Sequence, residues 1–111
     1  MAKRIDLTSE GLVKAIDSLD EVLEEKILTT IENNDVEAGN IYQLGSIDSL
    51  TINSMEVSFR DTVIEFTPTS NFTISFPNNF NVLGGSNNFY VGCKYVVCIW
   101  YDIISIIEVT L

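Results

Sequence analysis

KYVVCIWYDIISIIEVTL, Lys94 to Leu111, is almost solid hydrophobe, relieved after Lys94 only by Asp102, Ser105, Glu108 and Thr110. A membrane span needs about 20 apolar residues without a central charge. Asp102 stands near the middle of this stretch, so the membrane reading fails. Asp102 is instead expected to mark a turn between two strands, because β-branched and aromatic residues crowd both sides of it. In the first strand Tyr95, Val97 and Ile99 share one face, and Val96, Cys98 and Trp100 share the other. In the second, Ile104, Ile106 and Glu108 oppose Ile103, Ser105 and Ile107. Both faces of the first strand are apolar, which a sheet covered on one side does not need. One face should meet the domain's own core, and the other an N-terminal helix or a neighbouring chain.

Working back from this hairpin, the hydrophobic period stays near two as far as Ile41. TVIEF (62–66) is a short strand, and NFTISFP (71–77) places Phe72, Ile74 and Phe76 on one face until Pro77 ends it. NNFNVLGGSNNF (78–89) is rich in Asn and Gly and is expected to be a loop. SLTINSMEVSF (49–59) alternates in places. Five or six strands follow so closely that helical crossovers do not fit between them, so a mostly antiparallel sheet is expected. No internal repeat is visible.

Upstream the period changes. Leu12, Ile16, Leu19, Leu23, Ile27 and Ile31 fall at steps of three or four and form a stripe about 120° wide on a helix running from Ser9 to about Asn33. Thr8 is a suitable N-cap, Glu10 suits the first turn, and Leu7 with Leu12 fits a hydrophobic staple. ENNDVEAGN (32–40) carries turn residues that should stop it. The expected fold is therefore α+β: an arm and helix over 1–40, then a β-sandwich or barrel-like domain over 41–111. The stripe is expected to serve as an assembly seam between copies. Its near-eleven-residue spacing favours a straight or slightly right-handed bundle, and docking on the chain's own sheet is the alternative. Lys3 and Arg4 would form a short anchoring arm.

The chain has 111 residues, the size of one domain, and buries roughly 65% of its unfolded surface, enough for a modest core. Sixteen acids against six bases give a net charge of -10. That balance argues against nucleic acid and against anionic membrane surfaces. MAKRIDLTSEG has no apolar stretch behind its bases, so no signal peptide is expected. Cys93 and Cys98, five apart on one strand, point to opposite faces, so no bond joins them and they are expected to be buried thiols in a reducing compartment.

Histidine is absent, which removes Ser-His-Asp and Cys-His catalysis and the commonest metal ligand. Neither the Gly84-Gly85 pair nor the isolated glycines form a phosphate-cradling motif. Asp17, Asp20, Glu21 and Glu24 would share a helix face, but without the glycine-centred calcium loop they read as a solvated surface. No enzyme, metal or cofactor is expected. The aromatics Phe72, Phe76, Phe80, Phe89, Tyr90, Tyr95, Trp100 and Tyr101 read as core, with a sugar-stacking platform as the alternative.

VIEFTPTSNFTISFP, NVLGGSNNFYVGCKYVVCI and IISIIEV, between Ser58 and Val109, follow one another in an order of features that resembles a known domain. It is the small β-rich domain of structural proteins from tailed phages of gut Bacteroidetes, crAss-like phages included. Phe76-Pro77 stands at that pattern's Leu-Pro, and Lys94 and Tyr95 at its Lys-Thr-Tyr strand. Its tryptophan soon after the proline is absent here, and Tyr101-Asp102-Ile103 replaces its glycine-containing closing turn. The resemblance implies a non-enzymatic virion component, a capsid decoration, head fibre or tail appendage, made in the host bacterial cytoplasm. It also implies contacts with capsid or neck proteins and homo-oligomers, a trimer among them. The alternative function is a carbohydrate-binding or adhesin-like β module.

Overall fold

A computed structural model describes residues 26–111. The chain order is β1 (Lys26–Leu28), a 3-10 turn (Glu32–Asn34), β2 (Asp35–Val36), β3 (Asn40–Ile47), β4 (Ser54–Met55), β5 (Thr62–Pro68), β6 (Phe72–Thr73), β7 (Asn81–Gly84), β8 (Asn88–Phe89), β9 (Cys93–Trp100) and β10 (Ile103–Thr110). Among the described residues one sheet of six strands runs β1-β3-β5-β9-β10-β7, beside two small ladders, β2-β4 and β6-β8.

Among the described residues the fold is almost wholly β, which corrects the expected α+β class. Lys26–Leu28, placed on the helix by periodicity, pairs in parallel with Asn40–Tyr42. Thr29 and Thr30 follow it, and β-branched residues are weak helix formers. Asn33 and Asn34 then take φ of 55° and 59°, a left-handed corner that asparagine tolerates better than most residues. Ile27 therefore lies exposed on an edge strand, whereas Ile31 packs partly against the core. The two do not share a helical face. The other seam positions Leu12, Ile16, Leu19 and Leu23, and the arm residues Lys3 and Arg4, lie outside the described residues.

The mostly antiparallel sandwich or barrel is also corrected. Three of the five pairings in the main sheet are parallel: β1 with β3, β3 with β5, and β7 with β10. Parallel neighbours need a crossover, usually a helix. Here the chain returns through a second β layer instead, as a solenoid does. β2 and β4 pair in parallel while β1, β3 and β5 stack. The connections stack too. Asn53 N–H donates to the Asn34 carbonyl (2.7 Å), Glu56 N–H to Val36 (3.0 Å) and Thr69 N–H to Ile47 (2.8 Å). The Ser54 hydroxyl donates to the Asp35 carboxylate (2.8 Å) and the Ser70 hydroxyl to the Asp48 carbonyl (2.7 Å). Each coil thus satisfies the backbone of the one before it.

Residues 26–40 belong to this stack, so the division at residue 40 falls inside one packing unit. Val36, Ala38 and Asn40 are buried. The buried Tyr42 hydroxyl accepts the Glu37 N–H (2.9 Å) and an Asn40 side-chain N–H (3.2 Å). Gly39 N–H donates to the Thr62 hydroxyl (3.0 Å), tying this corner to β5.

β5 alternates buried and half-buried residues along its whole length. Its inward Ile64 and Phe66 meet Val97 and Tyr95 of β9 and Ile104 of β10. Phe66, Phe89 and Tyr95 form the centre, with edge-on contacts at 5.0 Å and 4.8 Å between ring centroids. Such aromatic pairs add about 0.5–1.5 kcal/mol each beyond their burial. The hairpin is as expected from sequence: Trp100 pairs with Ile103 around a turn at Tyr101-Asp102. The expected loop over 78–89 is corrected, because it contains the edge strand β7 and β8, which pairs with β6. The strand expected over 71–77 shortens to Phe72–Thr73. Among the described residues no helix is long and apolar enough to cross a membrane.

Two outcomes follow from this packing. Gly39 has φ of 83°, and the Arg60 guanidinium lies where a Cβ would be. Gly39→Ala should lower stability by roughly 1–2 kcal/mol in urea melts, with the strained backbone as the main cause. Tyr95, 2% exposed, donates its hydroxyl to Glu108 Oε1 (2.6 Å) and accepts Tyr90 N–H (3.0 Å). Burial first, and then the Glu108 bond, push its phenol well above the ordinary tyrosine range. A raised pKa of this kind favours the neutral form in the folded state. Its stabilisation is complete below about pH 10 and is lost as pH rises from there toward the folded value. Denaturation at pH 8 and pH 11 should therefore show a smaller loss for Tyr95→Phe than for the unsubstituted chain.

Candidate binding surface

The side of the main sheet turned away from the core is built by strand alternation. β5 contributes Val63, Glu65 and Thr67, β9 contributes Lys94, Val96, Cys98 and Trp100, and β10 contributes Ile103, Ser105, Ile107 and Val109. The register sets Val63 beside Cys98 and Cys98 beside Ser105, then Glu65 beside Val96 and Val96 beside Ile107. Among the described residues no layer covers this side. Ile107 is 51% exposed, Val109 46% and the adjoining Leu111 74%. Lys94 Nζ lies 3.2 Å from Glu65 Oε1, so the charges on the face are matched within it. An antiparallel strand pair facing water on this side would ordinarily carry polar residues here.

At the far end of the hairpin the face becomes aromatic. Tyr101 N–H donates to the Ser58 carbonyl (2.8 Å), which holds the 56–61 connection against the β9–β10 turn. That contact brings Phe59, 68% exposed, onto Tyr101, with ring centroids 4.6 Å apart and 14° between the planes. Trp100 stands 5.2 Å from Phe59 at 58°. Tyr101 has φ of 55°, a left-handed conformation that costs a bulky residue about 1–3 kcal/mol and that glycine or asparagine would take more cheaply. Beside these rings lies an open groove of about 390 Å³, lined by Asp61, Val63, Cys98, Trp100, Ile103 and Ser105 among others. Burial raises the Cys98 thiol pKa, and the nearby Asp61 and Glu65 carboxylates raise it further. The thiol is thus a poor nucleophile in a region of negative potential.

A second hollow of about 240 Å³ lies at the β1 end, beside Glu32, Asp35, Glu37 and Tyr42. No group of three His, Cys, Asp or Glu side chains among the described residues is placed to hold a metal ion. Cys93 and Cys98 are both free thiols on opposite sides of β9, as their spacing implies, but both are half-buried rather than buried.

The aromatics separate into two populations. Phe80, Phe89 and Tyr95 are buried, and Phe72 and Phe76 pack partly against the same core. Tyr90 is exposed, and Trp100 and Tyr101 form the tip. Phe59, absent from the aromatics singled out by sequence, completes that tip. The signal for it is a lone aromatic in a polar connection, SFRD, next to a strand start.

Comparison with known protein families, with characterised proteins and with solved structures finds no match to this chain.

Proposed function

We propose that this chain is a non-enzymatic virion structural protein of a tailed bacteriophage. In this reading it is a capsid-decorating, head-fibre or appendage component that works through contacts with capsid or neck proteins and with its own copies. The observation that carries the reading is the apolar side of the main sheet around Val96, Ile107 and Val109, which nothing among the described residues covers. Contiguous exposed hydrophobes of this kind fit a protein interface. The matched Lys94–Glu65 pair leaves that part of the face locally neutral. Copies with a net charge of -10 can therefore meet there with less repulsion than elsewhere on the molecule. The same acidity suits a basic neighbour. The residue pattern shared with phage structural domains supplies the setting, the virion, and a closed oligomer such as a trimer is the form proposed.

Ile107→Lys with Val109→Asp should weaken attachment or self-association about tenfold or more, because each change places a charge in an apolar contact. Sedimentation of the purified chain and mass spectrometry of purified particles provide the measurements. Absence from the particles, together with a monomer whose association the double substitution leaves unchanged, would refute the reading.

A further inference from the structure

We propose that the tip formed by Phe59, Trp100 and Tyr101, with the adjoining groove, binds the apolar face of a neutral pyranose sugar. The Asp61 carboxylate and the Ser105 hydroxyl would receive its ring hydroxyls. Three observations point the same way. Phe59, Trp100 and Tyr101 remain 68%, 46% and 40% exposed although they touch one another. Tyr101 is kept in a left-handed turn position that favours smaller residues, and backbone strain of this kind gathers at binding sites. Its N–H in turn holds the Ser58 carbonyl, so the strained residue itself positions the loop that carries Phe59.

The groove has an apolar floor in Val63 and Ile103 and polar groups in Asp61 and Ser105. That division matches a pyranose, whose axial C–H groups stack on an aromatic ring while its hydroxyls reach sideways. The carboxylates of Asp61 and Glu65, which help to raise the Cys98 thiol, oppose an anionic ligand. A cation cage fits less well. Phe59 and Tyr101 stack closely on each other and Trp100 is tilted against them, so no space remains between the rings for a cation. Trp100 lies roughly 13 Å along β9 from Val96 and roughly 20 Å from Lys94, so the aromatic tip stands at the end of the face used for assembly, while Cys98 and Ser105 of the groove adjoin Val96 and Ile107.

Trp100 is the chain's only tryptophan and reports directly on its own site. The full chain should be titrated with neutral methyl glycosides of glucose, galactose, mannose and N-acetylglucosamine, and with tetramethylammonium chloride. At least one glycoside should change Trp100 emission saturably, with a dissociation constant on the order of 1 mM. Phe59→Ala, and Tyr101→Asn, which keeps a residue tolerant of the left-handed turn, should each weaken that response about tenfold or more. Val109→Asp, beside Lys94 at the opposite end of the face, should bind as the unsubstituted chain does, whether or not it still assembles. No saturable response to any glycoside would overturn the proposal, as would binding indifferent to Phe59 and Tyr101. A response to tetramethylammonium alone would replace it with a cation site.

Discussion

Pairing on both edges of β5 is the constraint on which the rest of the structure depends. One edge accepts β3 in parallel and so receives the solenoid coils, while the other accepts β9 antiparallel and so receives the closing hairpin. Its inward residues Ile64 and Phe66 are essentially without exposed surface, and Phe66 joins Phe89 and Tyr95 at the centre of the aromatic cluster. Because the side-chain period of a strand is two, this inward set also decides what faces out. Val63 and Glu65 begin the outer face that β9 and β10 extend. Core and candidate surface are two sides of one register.

The solenoid part depends on that strand because it has little stability of its own. β2 and β4 are two residues each, and β1 is three. Such short strands cannot hold together through their own ladders, and strands of five or six residues are more usual. What holds them is the side-chain and backbone bonding at the corners: Tyr42 with Glu37 and Asn40, Gly39 with Thr62, Asn53 with Asn34, and Ser54 with Asp35. Among the described residues β1 is an edge strand, and its Lys26 is a charge of the kind that discourages unwanted strand pairing.

Part of this was legible in the sequence. The hairpin, its turn at Asp102 and the two faces of β9 follow directly from period-two alternation, and so does β5. Residues 26–33 of the expected helix over 9–33 are not α-helical. Steps of four between Leu23, Ile27 and Ile31 fit a helix, but a strand of three residues leaves no period to oppose them. The parallel coils were hidden for a related reason. Lys26 aligns with Asn40 while Ile41 aligns with Val63, so the coils differ in length and produce no repeat. β7 was hidden because an edge strand with exposed Asn81, Val82 and Leu83 has the composition of a loop. Phe59 joined the tip through a tertiary contact, Tyr101 N–H to Ser58, that no local pattern encodes.

The parallel union of β3 with β5 separates this account from the antiparallel sheet that the closely spaced strands suggest. Nuclear Overhauser contacts measured on the full chain, labelled for backbone resonance assignment, test it directly. Contacts in parallel register are expected, Ile41 with Val63 and Tyr42 with Ile64, alongside antiparallel contacts of Ile64 with Val97. Antiparallel contacts between residues 40–47 and 62–68, or helical contacts through residues 26–34, would contradict it.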